Sequence, residues 1–69
     1  MTINEMKSLK IGDIVIDYEM SKSMGKEVIC KVLEVDETGI LITSINSEFK
    51  GGYPHRFQYE IESSSLDKK

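Results

Sequence analysis

Residues Glu27 to Ile45 read EVICKVLEVDETGILITSI, two runs rich in Val, Ile and Leu separated by Asp36-Glu37-Thr38-Gly39. Aspartate at the first turn position and glycine at the last close a tight reversal, so the stretch predicts an antiparallel hairpin. In the first run Val28, Cys30 and Val32 share one face, against Ile29, Lys31, Leu33 and Val35 on the other. Apolar residues on both faces predict a central or strongly bent strand. The returning run, Ile40 to Ser47, carries no charge. It is either internal to the sheet or an edge where a partner or a second copy docks.

Upstream, Ile14, Ile16, Tyr18 and Met20 alternate with Val15, Asp17 and Glu19. That period of two predicts a first strand with the former set on one face. Gly12, just before it, is free to take positive φ in a turn. Ser21 to Lys26 is polar and contains glycine, which predicts an exposed loop. At the start of the chain, Thr2 and Glu5 have the spacing of a capping box, so residues 1–8 form an arm or one helical turn.

Downstream, Phe57, Tyr59 and Ile61 alternate with Arg56, Gln58, Glu60 and Glu62, which predicts a fourth strand from His55 with the former set in the core. Residues 63–69 read as a helical turn pinned by Leu66 and then a frayed tail.

With 69 residues and 7.8 kDa the chain is read as one small domain, residues 1–69. The single cysteine precludes an internal disulfide, and at this size a core supplies only about 3–5 kcal/mol unaided. A charged share of 30% beside 39% hydrophobic residues, well patterned, indicates a folded chain rather than a disordered one. Net charge of −3 fits neither a strongly basic nucleic-acid coat nor an extreme acidic mimic. No apolar run reaches the ~18 residues of a membrane span, and the first ten residues lack a signal-peptide core. These features lead to the expectation of a cytoplasmic protein.

Four or five short strands punctuated by turns, with no long helix, predict an all-β fold, a small antiparallel barrel or sandwich. Leu9-x-x-Gly12-Asp13-x-Val15, a long bent strand with a tight hairpin, and the closing Ser-Ser-Leu-Asp-Lys resemble the Src-homology-type (SH3-like) small barrels, Tudor and KOW domains included. The resemblance covers roughly residues 9 to 67. It implies partner surfaces on the loop after the first strand and on the segment from Glu48 to Arg56.

Chemistry is sparse. Cys30 sits between Val28 and Val32, where a thiol acts as a small hydrophobe, so a Cys30–His55 catalytic pair is not expected. One Cys and one His make a poor start for zinc, and Gly51-Gly52 lacks the Lys-Ser/Thr of a phosphate loop, so no metal or cofactor is expected.

The remaining signal is EFKGGYPHRFQYE, residues 48 to 60, which holds four of the five aromatics and the only Pro, His and Arg. Phe57 and Tyr59 are assigned to the core, leaving Phe49, Lys50, Tyr53, His55 and Arg56 as candidate contacts. Lys22, Met24 and Lys26 join them from the first loop. Tyr and Arg are enriched at protein interfaces and Met adapts to varied partners. The expected role is therefore a non-enzymatic, protein-binding regulator or inhibitor acting by steric occlusion, of the kind phages and mobile elements encode. RNA or single-stranded DNA binding through an aromatic and basic loop ranks second. Homo-oligomeric assembly through Ile40 to Ser47 is the remaining alternative.

Overall fold

A computed structural model describes residues 1–46 and 52–69. The order of elements is α1 (Ile3–Lys7), β1 (Ile14–Asp17), α2 (Tyr18–Met24), β2 (Ile29–Val35), β3 (Gly39–Ser44), β4 (His55–Gln58), α3 (Tyr59–Glu62), a 3-10 turn (Ser63–Ser65) and β5 (Leu66–Lys68). Among the described residues five strands form one antiparallel sheet in the order β4-β3-β2-β1-β5, curled into a half-barrel. This is the layout expected of an SH3-like small barrel.

The hairpin forms as the turn sequence requires. Asp36 Oδ1 accepts the backbone N–H groups of Thr38 at 2.8 Å and Gly39 at 3.0 Å, an Asx-type closure of the reversal. A register shift between Val32 and Glu34 marks a bulge, the source of the expected bend in β2. Val28, Cys30 and Val32 all face inward and are fully buried with Ile40, Ile42, Val15 and Leu66. Strand β3 is internal, paired to β2 on one side and, over Gly39 to Ile42, to β4 on the other. That pairing occupies the second backbone edge of the uncharged run over Ile40 to Ile42. Among the described residues the sheet's edges are β4 and β5.

Helix α1 carries the full capping box: the Glu5 N–H donates to Thr2 Oγ1 at 3.1 Å, and the Thr2 N–H donates to Glu5 Oε1 at 2.9 Å. Its Met6 is buried in the core. Gly12 adopts φ +96°, and its N–H donates to Val32 O at 2.8 Å.

Several expectations are corrected. The first strand ends at Asp17 rather than Met20, and its inward residues are Val15 and Asp17, while Ile14 and Tyr18 are exposed. Alternation sets a period, but with apolar residues on both faces it leaves the phase undetermined. The strand stops because Asp17 caps a helix: its Oδ1 accepts the Met20 N–H at 3.1 Å and its carbonyl accepts the Ser21 hydroxyl at 2.7 Å. Gly25, left-handed at φ +71°, ends that helix, so Ser21 to Lys26 is largely helical rather than an open loop.

Ile61, placed in the core by alternation, is 71% exposed, because α3 replaces the strand after Gln58. Tyr59 still turns inward. The closing segment is a strand rather than a frayed tail: β5 pairs with β1 through Val15–Lys68, Ile16–Asp67 and Asp17–Leu66. The Met1 amine donates to the carbonyls of Ser63 and Leu66 and so pins this strand to the start of α1.

Candidate functional site

Helix α2 and the approach to β4 enclose an open groove of about 330 Å³ at one end of the half-barrel, which also reaches α3 and the 3-10 turn. Its walls include Met20, Tyr53, His55 and Phe57. The rings of His55 and Phe57 meet edge to face, with centroids 4.8 Å apart and planes at 82°. Phe57 is held by β4, where it pairs opposite Ile40, and His55 on the same face pairs opposite Ile42. Phe57 lies in the core, whereas His55 reaches the surface.

Carboxyl groups border these walls: Asp17, Glu19 and Glu62 line the groove, and no lysine or arginine does so among the described residues. Asp17 is buried and fully engaged. Besides capping α2, it accepts the Tyr53 hydroxyl on Oδ2 at 2.7 Å. Burial, followed by this bond to Asp17, holds the Tyr53 phenol far above the ordinary tyrosine range. Glu62 is fixed by the Gln58 N–H, which donates to its Oε1 at 3.0 Å.

The expected contact residues part company. Tyr53 and His55 line the groove, and the bond from Tyr53 to Asp17 ties the junction of β1 and α2 to the segment before β4. Met24 packs against the core. Lys22 lies over the Tyr18 ring at 5.1 Å, and Lys26 is exposed beyond the end of α2. Arg56 points to the opposite sheet face and is committed to the hairpin: Nη1 donates to Asp36 Oδ2 at 2.6 Å, and Nη2 donates to Asp36 Oδ1 at 2.7 Å and to Thr38 Oγ1. Phe49 and Lys50 lie outside the described residues, as does Gly51 of the Gly-Gly pair.

Met20, a methionine just before the first loop and an adaptable contact candidate from sequence, is a wall of the groove. The sequence reading missed Glu19 and Glu62. Asp17-x-x-Met20 with Gly25 downstream carries the helix signal that would have placed Glu19; nothing in the alternation around Glu62 signals its turn toward the groove.

Cys30 is fully buried, and its thiol approaches the Val28 carbonyl at 3.9 Å. Burial pushes its pKa up, and the Asp17 charge adds to the rise while Tyr53 partly offsets it. Among the described residues no group of His, Cys, Asp and Glu side chains is arranged to hold a metal ion. No helix of the described residues is long and apolar enough to cross a membrane. Compared with protein-family models, curated proteins and solved structures, the chain finds no match.

Proposed function

We propose that this protein is a non-enzymatic binding module that recognises another protein through the groove between α2 and β4, and acts by occluding or bridging its partner's surface. The observation that carries this reading is the groove itself. It joins aromatic and methionine walls to a few placed polar groups, the composition of a recognition site. Its volume of about 330 Å³ is enough for a side chain or short segment of a partner. The setting proposed for it is that of a cytoplasmic regulator or inhibitor, of the kind phages and mobile elements encode.

The charge around the groove favours protein over nucleic acid. A strand of RNA or DNA gains affinity from the number of phosphates neutralised by Lys and Arg. Here the described lining is acidic, Arg56 is spent on Asp36, and Lys22 rests on Tyr18.

The test is affinity recovery from the source cell with wild type and a Met20→Ala/His55→Ala double variant of matched melting temperature. Loss of a specific protein from the variant's eluate is the expected outcome. Equal recovery by both removes the groove as the interface, and retention of an oligonucleotide that weakens steeply from about 50 to about 200 mM salt would favour the nucleic-acid reading instead.

A further inference from the structure

We propose that the groove takes a basic side chain, an arginine or lysine presented by a partner polypeptide, with its aliphatic stem on the apolar walls and its cationic head at Glu19 and Glu62. This deepens the protein-binding reading and rests on it. The groove combines the two surfaces such a side chain needs. Met20, Tyr53 and Phe57 provide apolar and aromatic area on which a three- or four-carbon stem can lie. Ring faces attract a cation held within about 6 Å of their centroids. Carboxylates beside those rings add charge-assisted hydrogen bonds to the head group.

Among the described residues some carboxylates and rings have a cation of the chain beside them, while Glu19 and Glu62, like Asp13, Glu34, Glu37 and Glu60, have none. Asp36 is paired with Arg56, Glu27 with Lys69, Glu5 with Lys68 and Asp67 with the Met1 amine. Tyr18 and Tyr59 each have a lysine of the chain over their rings, Lys22 and Lys7. At the groove, by contrast, no described Lys or Arg pairs with Glu19 or Glu62, and none stacks on Tyr53, Phe57 or His55. Each Asp17 carboxylate oxygen already accepts a hydrogen bond, from the helix cap and from Tyr53, which leaves Glu19 and Glu62 to meet the head group. The net charge of −3 adds a long-range attraction for the same partner chemistry.

The experiment titrates the full chain with fluorescent decapeptides of one common backbone sequence carrying four arginines, four lysines, four glutamines or four glutamates, read by anisotropy at about 150 mM salt. Amide chemical shifts locate the contact. Arginine and lysine peptides should bind and move the signals of Met20, Tyr53, His55 and Phe57, while glutamate peptides do not. Glu19→Gln/Glu62→Gln, which keeps the oxygen that accepts from Gln58, should weaken the basic peptides at least fivefold. Glu34→Gln/Glu37→Gln, an equal charge change elsewhere, should weaken them less than twofold. Equal weakening by the two double variants would reduce the attraction to net charge and overturn the proposal. Glutamine peptides that move the groove signals as strongly as basic ones would leave the groove a protein site and remove its charge preference. Absence of movement at the groove with every peptide would remove both the preference and the site.

Discussion

The Tyr53 hydroxyl donates to Asp17 Oδ2 at 2.7 Å, joining residues 36 apart in sequence across the mouth of the groove. Asp17 is 5% exposed and also caps α2, so one carboxylate positions both the helix and the segment that leads into β4. Tyr53→Phe removes the donor while leaving the buried acceptor in place. The expected cost is about 1–2 kcal/mol, read as a lower urea midpoint at unchanged slope. An unchanged midpoint would mean the bond contributes nothing to holding the two walls together.

The same groups predict a decline at high pH. Burial holds the phenols of Tyr53 and Tyr59 above the ordinary value of 10.0, and the thiol of Cys30 above 9.0, so the unfolded chain gives up these protons first. Their contribution to stability is complete below those ordinary values and is lost as pH rises beyond them. Urea midpoints should be level approaching pH 9 and fall steadily above it, with Tyr53→Phe flattening the upper part of the fall.

At the acid end the Asp36–Arg56 pair governs. Arg56 and then the Thr38 N–H hold the Asp36 carboxyl well below its ordinary value of 3.8. The contribution is present above that value and disappears as pH falls through and below it. Asp36→Asn should flatten the acid limb of the stability curve and fray the hairpin, seen as faster amide exchange at Thr38 and Gly39. An acid limb identical to wild type would show the pair to be inert.

Gly39 has an ordinary φ, and its requirement for glycine is steric. A Cβ placed there would lie 2.1 Å from the Phe57 carbonyl oxygen and 2.9 Å from its carbon, both backbone atoms of the neighbouring strand. Neither can rotate away, so Gly39→Ala must separate β3 from β4. A loss of about 3 kcal/mol or more in chemical denaturation is expected. Tolerance of alanine would contradict the close approach of these strands.

The hairpin from Glu27 to Ile45 was legible because turn chemistry and β-branched runs agree there, and the same holds for the capping box at Thr2 and Glu5. The phase of β1 was not legible, since Ile14 and Ile16 compete with Val15 and only pairing to β2 and β5 decides which face is inward. Leu66 is buried as the pin it was expected to be, but Ile61 and the tail fail for a related reason: a single helical turn at Tyr59 resets the alternation, and a tail as short as β5 becomes a strand only because β1 offers it an edge. Of the site, Tyr53 was visible as a loop residue and His55 as the start of the fourth strand, both without a core assignment. Arg56 was equally visible, but its partner Asp36 lies 20 residues away across the sheet, a relationship that local pattern cannot express.

Cys30 reports on opening of the core. With the side chain fully buried and its thiol pKa raised, a disulfide reagent should modify it at least about 100-fold more slowly in the native protein than in denaturant. Denaturant and labelling rates should then rise together through the unfolding transition. Rapid native-state labelling would contradict the packing of β2 against β3.

The claim that the groove is where this protein meets its partner is tested most directly by photo-crosslinking in the source cell. A benzophenone amino acid is placed in turn at position 55, at the groove, and at position 31, an exposed position on the outer face of β2. A discrete protein adduct from position 55 with none from position 31 is the predicted result. An adduct from position 31 with none from position 55 would place the interface on the outer sheet face and contradict the account.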